Sequence, residues 1–192
     1  MRFWYILFFI IIISSNSVSQ VPRHTLYRET MADTLGKQLN NILILGIGST
    51  PSRIFLDNLS EKLINKFESA NVKAEYRYLG KTVAEAREDS NLNQVKDFKA
   101  VLLFIPRDSS FFEVKITKNN FSIPRLTNSN EFITRNFIYE GNFDIRLYTT
   151  EEEKKLIWTA FTDVTNQLTK TSIYSKISKK IISDFKKNGY IR

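Results

Sequence analysis

The stretch that decides the fold is Asn41-Ile42-Leu43-Ile44-Leu45-Gly46-Ile47-Gly48-Ser49-Thr50-Pro51. Its apolar run is short, β-branched and closed by glycine, which favours a central strand over a buried helix. Ser49 or Thr50 can cap a following helix, and Pro51 suits the first turn of that helix, where a missing N–H costs nothing. Because a strand that runs straight into a helix is the first half of a βαβ unit, the sequence predicts an α/β domain.

The residues that follow continue this alternation of helix and strand. Pro51–Ala70 predicts an amphipathic helix, because four large apolar residues recur in it at a spacing of four. Val72–Leu79 alternates charged residues with apolar and aromatic ones and predicts a half-buried strand, while Thr82–Asn93 predicts a weaker second helix. Ala100–Ile105 is strongly apolar, and we expect it to lie parallel to the first strand and to end at Pro106.

The carboxyl-terminal half is richer in strands. Asn142–Tyr148 and Leu156–Val164 each place apolar residues at alternate positions, and the polar link between them predicts an antiparallel hairpin. Ser172–Asn188 predicts a closing helix, with Gly189 placed to cap its carboxyl end. The predicted fold is therefore α/β with an α+β tendency. It has a mixed sheet with a β-α-β-α-β start, an antiparallel C-terminal hairpin, and two main amphipathic helices packed on the sheet.

The first residues have the pattern of a targeting segment. Arg2 precedes the apolar run Phe3–Ile13, which is shorter than the roughly 20 residues that a membrane-spanning helix needs. Small and polar residues follow, and the pattern predicts a signal peptide of residues 1–19, cleaved between Ser19 and Gln20. The protein is then expected to be exported, periplasmic or extracellular. An uncleaved amino-terminal anchor is the alternative.

Residues 20–40 form a polar lead segment before the domain predicted for residues 41–192. Four apolar residues recur in the lead at near-helical spacing and favour a short helix: Leu26, Met31, Leu35 and Leu39. His24, the one histidine of the chain, lies beside the predicted new amino terminus, where we expect it to be solvated.

Composition restricts the chemistry. The chain has no cysteine, which excludes thiolate catalysis, a lipid-modified cysteine and any metal site built on cysteine. Its formal charge is +8, or +7 once Arg2 leaves with the signal peptide, and the pI is near 9.6. Such a charge suits an acidic partner in the envelope, although solubility accounts for it equally well. No motif that reads nucleic acid is present, and we expect no nucleic-acid partner.

One cluster of basic residues predicts a contact surface. In the closing helix these side chains lie off the apolar stripe: Lys176, Lys179, Lys180, Lys186 and Lys187. Lysines near a helix carboxyl end also interact favourably with the helix dipole, which accounts for part of the cluster.

Motifs for cofactor binding and for hydrolysis are incomplete. Gly46 and Gly48 precede a helix, but Pro51 stands where a dinucleotide fingerprint needs its third glycine, so tight turn geometry is the favoured role of both. The Gly-Ile-Gly-Ser stretch superficially resembles the serine turn of GDSL-type esterases. No histidine follows His24 to take the serine proton. We therefore predict no catalytic residue and no cofactor.

Carboxylates are the remaining candidates for catalysis. No spacing typical of metal ligands is visible. Glu140, Asp144 and Asp163 lie on or near predicted strands and could meet in space as a pair for glycoside cleavage. Outward-facing strand residues are the favoured interpretation of all three.

The latter half resembles small exported α/β domains of bacterial envelopes. Phe143–Tyr148 followed by Lys154–Ala160 is similar to a strand, charged turn and (V/I)-W-x-(A/G) hairpin of uncharacterised lipoproteins, and Ile181–Ile191 resembles their ending. The order of elements looks like that of the TolB N-terminal domain and of penicillin-binding-protein activator lipoproteins. This resemblance covers about a third of the chain and implies no catalytic residues. The lipid-anchoring cysteine of those families is absent here.

The sequence thus predicts an exported, non-enzymatic envelope protein that acts as an accessory or binding module. The expected partner is an envelope protein or an anionic glycan or lipid, and no transmembrane segment is expected in the mature chain. A carboxylate-dependent cell-wall glycan hydrolase and a basic binder of anionic lipid or polysaccharide are the alternatives.

Overall fold

The computed structural model describes residues 24–33, 38–82, 84–85, 95–116, 134–150, 155–167 and 170–192. The predicted signal peptide and most of the predicted helix Thr82–Asn93 lie outside these ranges, so both stay predictions.

The described elements form one mixed sheet with two helices. In chain order they are β1 (His24–Ala32), β2 (Asn41–Gly46), α1 (Thr50–Glu68), β3 (Lys73–Tyr78), β4 (Ala100–Ile116), β5 (Thr134–Thr149), β6 (Leu156–Gln167) and α2 (Thr171–Lys187). The strand order is β1-β6-β5-β4-β2-β3. β2 pairs in parallel with β3 and β4, and the other three pairings are antiparallel. The predicted α/β class, the parallel neighbour of β2 and the β5–β6 hairpin are confirmed.

Both helices pack on the same face of the sheet. α1 lies against β2, β3 and β4, while α2 packs beside α1 and against β1. The core between helices and sheet is rich in aromatic rings. Phe55 of α1 stacks on Tyr139 and Phe143 at centroid distances of 5.1 and 5.3 Å, and Phe185 of α2 meets Trp158 edge-on at 5.0 Å.

The two helices end in the same way. After α1, Asn71 has a φ of 57° and the Val72 amide donates to the Phe67 carbonyl at 2.9 Å. After α2, Gly189 has a φ of 74° and the Tyr190 amide donates to the Phe185 carbonyl, also at 2.9 Å. A left-handed residue that turns the chain back on its last carbonyls is a common helix ending. Gly189 therefore caps α2 as its sequence predicted.

The helix predicted in the lead segment is wrong, because His24–Ala32 form β1 and pair with β6. The inward positions of β1 are Tyr27 and Glu29, which make polar contacts beneath α2. Leu26 and Met31 are 52% and 38% exposed. β1 thus directs polar side chains toward the helices and the large apolar side chains of Leu26 and Met31 toward solvent. Its sequence therefore lacks the alternation of apolar and polar residues by which a half-buried strand is recognised.

Pro106 does not end a strand, contrary to the prediction. β4 continues through it to Ile116 as one strand of 17 residues. The ladder with β5 shifts register between Pro106 and Asp108, so that Arg107 is the extra residue of a bulge. A proline lacks the N–H that a regular ladder needs, and a bulge is one place in a sheet where it is tolerated.

The other face of the sheet has a covered half and an open half. Leu43, Leu45 and Val101 are buried there beneath Leu79 and Phe98. On β5 and β6 the half-buried residues alternate with the core residues, and within the described part of the chain no helix lies over them. We call this side of β4, β5, β6 and β1 the open face.

Candidate functional site

The five lysines that the sequence singled out are all exposed. With about 100° of rotation per residue, they fall within an arc of about 120° on the side of α2 opposite its buried stripe. We call this set the lysine face: Lys176, Lys179, Lys180, Lys186 and Lys187. The structure therefore brings the predicted residues together on one surface.

Tyr27 links β1 to this helix. Its hydroxyl donates to Oδ2 of Asp184 at 2.6 Å, and the Lys180 ammonium lies 5.7 Å from the centre of its ring. Burial raises the pKa of the Tyr27 phenol far above its ordinary value, and the carboxylates of Asp184 and Glu29 raise it further. The phenol therefore stays protonated and keeps donating to Asp184.

Glu29 of β1 holds the carboxyl end of the helix. Its Oε1 accepts hydrogen bonds from Nε1 of Trp158 at 3.0 Å and from Nδ2 of Asn188 at 2.6 Å. Its Oε2 lies 3.4 Å from Nζ of Lys187. The two carboxylates beside the lysine face, Glu29 and Asp184, are thus both engaged in attaching α2 to the sheet.

The lysine face carries unbalanced charge. α2 contains five lysines and one carboxylate, so its net charge of +4 is half of the formal +8 of the chain. α1 contains three basic and three acidic residues and has no net charge. Within the described residues, Lys187 is the one member of the lysine face that forms an ion pair.

The turn after β2 is closed by packing. Gly48 has a φ of 144°, and a Cβ there would lie 2.7 Å from Cβ of Ser52. A Cβ on Gly46 would lie 2.9 Å from the Tyr76 hydroxyl. The Tyr78 hydroxyl donates to the Gly48 carbonyl at 2.5 Å. Turn geometry and close contact account for both glycines, and the sequence analysis favoured turn geometry over a dinucleotide site.

The three candidate carboxylates are half-buried residues of the open face: Glu140, Asp144 and Asp163. They alternate with core residues of β5 and β6, which agrees with the outward orientation that we expected. Asp163 lies opposite Asn142, two pairs along from the Asp144–Phe161 pair. Among the described residues, no three histidine, aspartate or glutamate side chains are placed to hold a metal ion.

The open face also brings together residues that the sequence analysis did not group. Arg107, Asp144 and Arg146 line a groove of about 450 Å³ with Phe161 and Thr159. They come from β4, β5 and β6, and Arg107 is 37 residues from Asp144 in sequence. In the sequence, Pro106 was the one residue that could have indicated this groove, because a proline within a strand often lies at a bulge.

The comparisons with known proteins identify no family. No protein-family model and no curated protein matches the chain. Among solved structures, the PelC dodecamer from Paraburkholderia phytofirmans aligns at 10% identity with a TM-score of 0.47, over 83% of this chain and 96% of that one. A point variant of that PelC aligns at 10% identity with a TM-score of 0.45, over 83% of this chain and 95% of that one.

A PDZ domain protein from Parabacteroides distasonis aligns at 9% identity with a TM-score of 0.34, over 86% of this chain and 36% of that one. Likeness at these levels carries no argument about function. Within the described residues, no helix is both long enough and apolar enough to cross a membrane.

Proposed function

We propose that this chain is an exported, non-enzymatic binding protein of the cell envelope, and that it holds an acidic surface or polymer through the lysine face. The expectation of export comes from the signal-peptide pattern of residues 1–19. The observation that carries the binding proposal is the unbalanced charge on the outer side of α2.

Fold stability does not account for this arrangement. Lys176 and Lys180 are four residues apart and Lys176 and Lys179 are three apart, so they repel one another, at a cost of about 0.2–0.5 kcal/mol per pair. Lys186 and Lys187 lie in the last turn and benefit from the helix dipole, but Lys176 lies in the second turn and does not. The lysines of the first half of the helix therefore oppose its stability.

The chemistry of lysine indicates the class of partner. An ammonium on a flexible stem attracts negative charge without imposing a fixed geometry, unlike the planar fork of arginine. A row of such groups suits a ligand with repeated negative charges, such as anionic lipid headgroups or an acidic polysaccharide. The shared chemistry is attraction that salt screens, over a distance of about 8 Å at physiological ionic strength.

The test measures binding of the exported chain to phosphatidylglycerol vesicles and to dextran sulfate, with phosphatidylcholine vesicles and uncharged dextran as references. The triple variant Lys176→Gln, Lys179→Gln, Lys186→Gln removes three charges that make no ion pair within the described residues. Each lysine near an anionic surface contributes about 1 kcal/mol. We therefore expect this variant to lose at least tenfold in affinity for whichever anionic ligand is bound.

A matched control removes three exposed lysines that lie outside α2: Lys73→Gln, Lys81→Gln and Lys99→Gln. It has the same net charge as the test variant, and we expect it to keep most of the binding. Equal losses in the two variants would mean that total charge and not the lysine face is responsible. Binding to neither anionic ligand at low salt would refute the proposal.

A further inference from the structure

Two bulged residues flank the groove on the open face. Arg107 is the extra residue of β4 against β5, and Thr30 is the extra residue of β1 where its register with β6 shifts between Glu29 and Met31. A bulge re-aims a side chain, and bulges are frequent beside functional sites. We call the groove between them the arginine groove, lined by Thr30, Arg107, Asp144, Arg146, Thr159 and Phe161. Three strand spacings separate its walls, or about 14 Å.

Arg107 is held in a fixed orientation. Its Nε and Nη2 donate to Oδ2 and Oδ1 of Asp144 at 3.0 and 2.8 Å, a two-point contact that sets the plane of the guanidinium. The same group lies over the Phe161 ring, 5.2 Å from its centre. Although the arginine side chain is 60% exposed, two groups on two strands therefore position it, the Asp144 carboxylate and the Phe161 ring.

Arg146 lies on the other side of the same carboxylate and is less fully engaged. Its Nη2 is 3.8 Å from Oδ2 of Asp144, beyond hydrogen-bonding distance. Within the described residues its side chain makes no shorter polar contact, and it is 40% exposed. Two guanidinium groups thus share one carboxylate, and the groove has one positive charge in excess.

The opposite wall offers neutral polar groups. The hydroxyls of Thr30 and Thr159 lie 2.7 Å apart, and either one can donate to the other. Each keeps acceptor capacity for a ligand hydroxyl. Phe161 adds apolar surface beneath the Arg107 guanidinium. A groove of about 450 Å³ is within the size range of ligand sites in proteins.

We propose that the arginine groove binds a sugar acid within a glycan, with Arg146 as the group that pairs with the sugar carboxylate. The free donors of Arg146 match a planar carboxylate in a two-point contact. The threonine hydroxyls match the hydroxyl groups of the sugar ring. Asp144 holds Arg107 in place and sets the local charge so that one anionic group, and not several, is accommodated.

The site is distinct from the lysine face, which lies beyond the helices on the opposite face of the sheet. The lysine face offers mobile point charges to any polyanion, whereas the arginine groove offers oriented donors to one carboxylate. The two proposals therefore succeed or fail separately. Neutralising the lysine face should leave the binding of a short ligand in the groove unchanged.

The test is isothermal titration of the exported chain with a short galacturonate oligomer and with its fully methyl-esterified form. We expect binding of the acid and at least a tenfold weaker affinity for the ester, which has the same rings without the charge. Arg146→Gln should weaken binding of the acid at least tenfold. Arg53→Gln, which removes a 57% exposed arginine from α1, should not change it.

Several outcomes would overturn the proposal. Equal binding of acid and ester would mean that no carboxylate is recognised, and equal losses in Arg146→Gln and Arg53→Gln would mean that the groove is not the site. Binding of an oligo-aspartate or of inorganic phosphate as strongly as the sugar acid would replace the proposed ligand class. Absence of binding by the galacturonate oligomer to the folded chain would refute it. A thermal melt of each variant checks that it is folded.

Discussion

α1 and α2 lie side by side on one face of the sheet and contribute to the core in the same way. Each buries an aromatic residue fully, Phe55 at 1% exposure and Phe185 at 0%, against rings from β5 or β6. Each ends in a left-handed residue that returns the chain to its last turn, Asn71 in one and Gly189 in the other. On their inner sides the two helices are close equivalents.

Their outer sides differ. α1 balances three basic residues with three acidic ones, while α2 has five lysines against one carboxylate that bonds to Tyr27. The fold accommodates α1, which has no net charge, so packing on this sheet does not require a helix with the net positive charge of α2. The difference therefore indicates that the outer side of α2 is shaped by what it contacts.

The largest expected effects test whether the buried sides of α1 and α2 contribute equally to the core. Phe55→Ala and Phe185→Ala should each lower the free energy of unfolding by about 3–5 kcal/mol, because each removes a fully buried ring from a packed aromatic cluster. Urea denaturation followed by the fluorescence of Trp158 measures both. Ile54→Ala on the outer side of α1, 39% exposed, is the control and should cost far less. A small loss in one phenylalanine variant alone would show that its helix is not an equal part of the core.

The elements that the sequence predicted well are those whose burial follows a simple period. β3, α1, α2 and the β5–β6 hairpin each place apolar residues toward one side, and β2 is a continuous apolar run buried on both sides. The structure has all of them close to the expected residues. β1 escaped prediction because its inward residues bond to α2, which is more than 130 residues away in sequence. The inward polar residues Tyr27 and Glu29 have partners only when α2 is packed on the sheet.

The lysine face could be predicted because one helix carries all of it. The arginine groove could not, since Arg107, Asp144 and Arg146 come together only through the pairing of β4 with β5 and the bulge at Pro106. Sequence spacing gives no measure of such contacts. Pro106 was interpreted as the end of a strand, and the same residue marks the bulge that places Arg107.

A second prediction concerns how each helix is attached to an edge strand. The Tyr27 hydroxyl of β1 donates to Asp184 of α2, whereas the Tyr76 hydroxyl of β3 lies near Asp57 of α1 without hydrogen-bonding geometry. Tyr27→Phe should therefore destabilise the protein by about 1–2 kcal/mol at neutral pH, because it leaves a carboxylate without its donor. Tyr76→Phe should cost much less. Equal costs in urea denaturation would contradict this distinction.

The pH dependence of stability gives an independent measure of the same contact. Burial and Asp184 raise the pKa of Tyr27 above its ordinary value of 10.0, so the folded chain holds a proton that the unfolded chain releases above that pH. Its contribution to stability is complete below pH 10 and falls as the pH rises further, by up to about 1.4 kcal/mol per pH unit. In Tyr27→Phe this loss should be less steep between pH 10 and 11, although the variant is less stable at pH 7.

The smallest expected effect tests whether the exposed charges of α1 and α2 serve stability or binding. Lys176→Glu replaces two repulsive pairs, with Lys179 and Lys180, by attractive ones, and should raise the free energy of unfolding by about 1 kcal/mol at low salt. Arg53→Gln on α1 loses its pair with Asp57 and should have the opposite sign. Thermal melts at low and high salt measure both, and the differences should shrink at about 1 M salt, where screening acts within about 3 Å. If Lys176→Glu also weakens binding to anionic ligands, a more stable helix is a poorer binder. A loss of stability in Lys176→Glu would instead mean that the lysine supports the fold, and the comparison of the two helices would then give no reason to assign the lysine face to a partner.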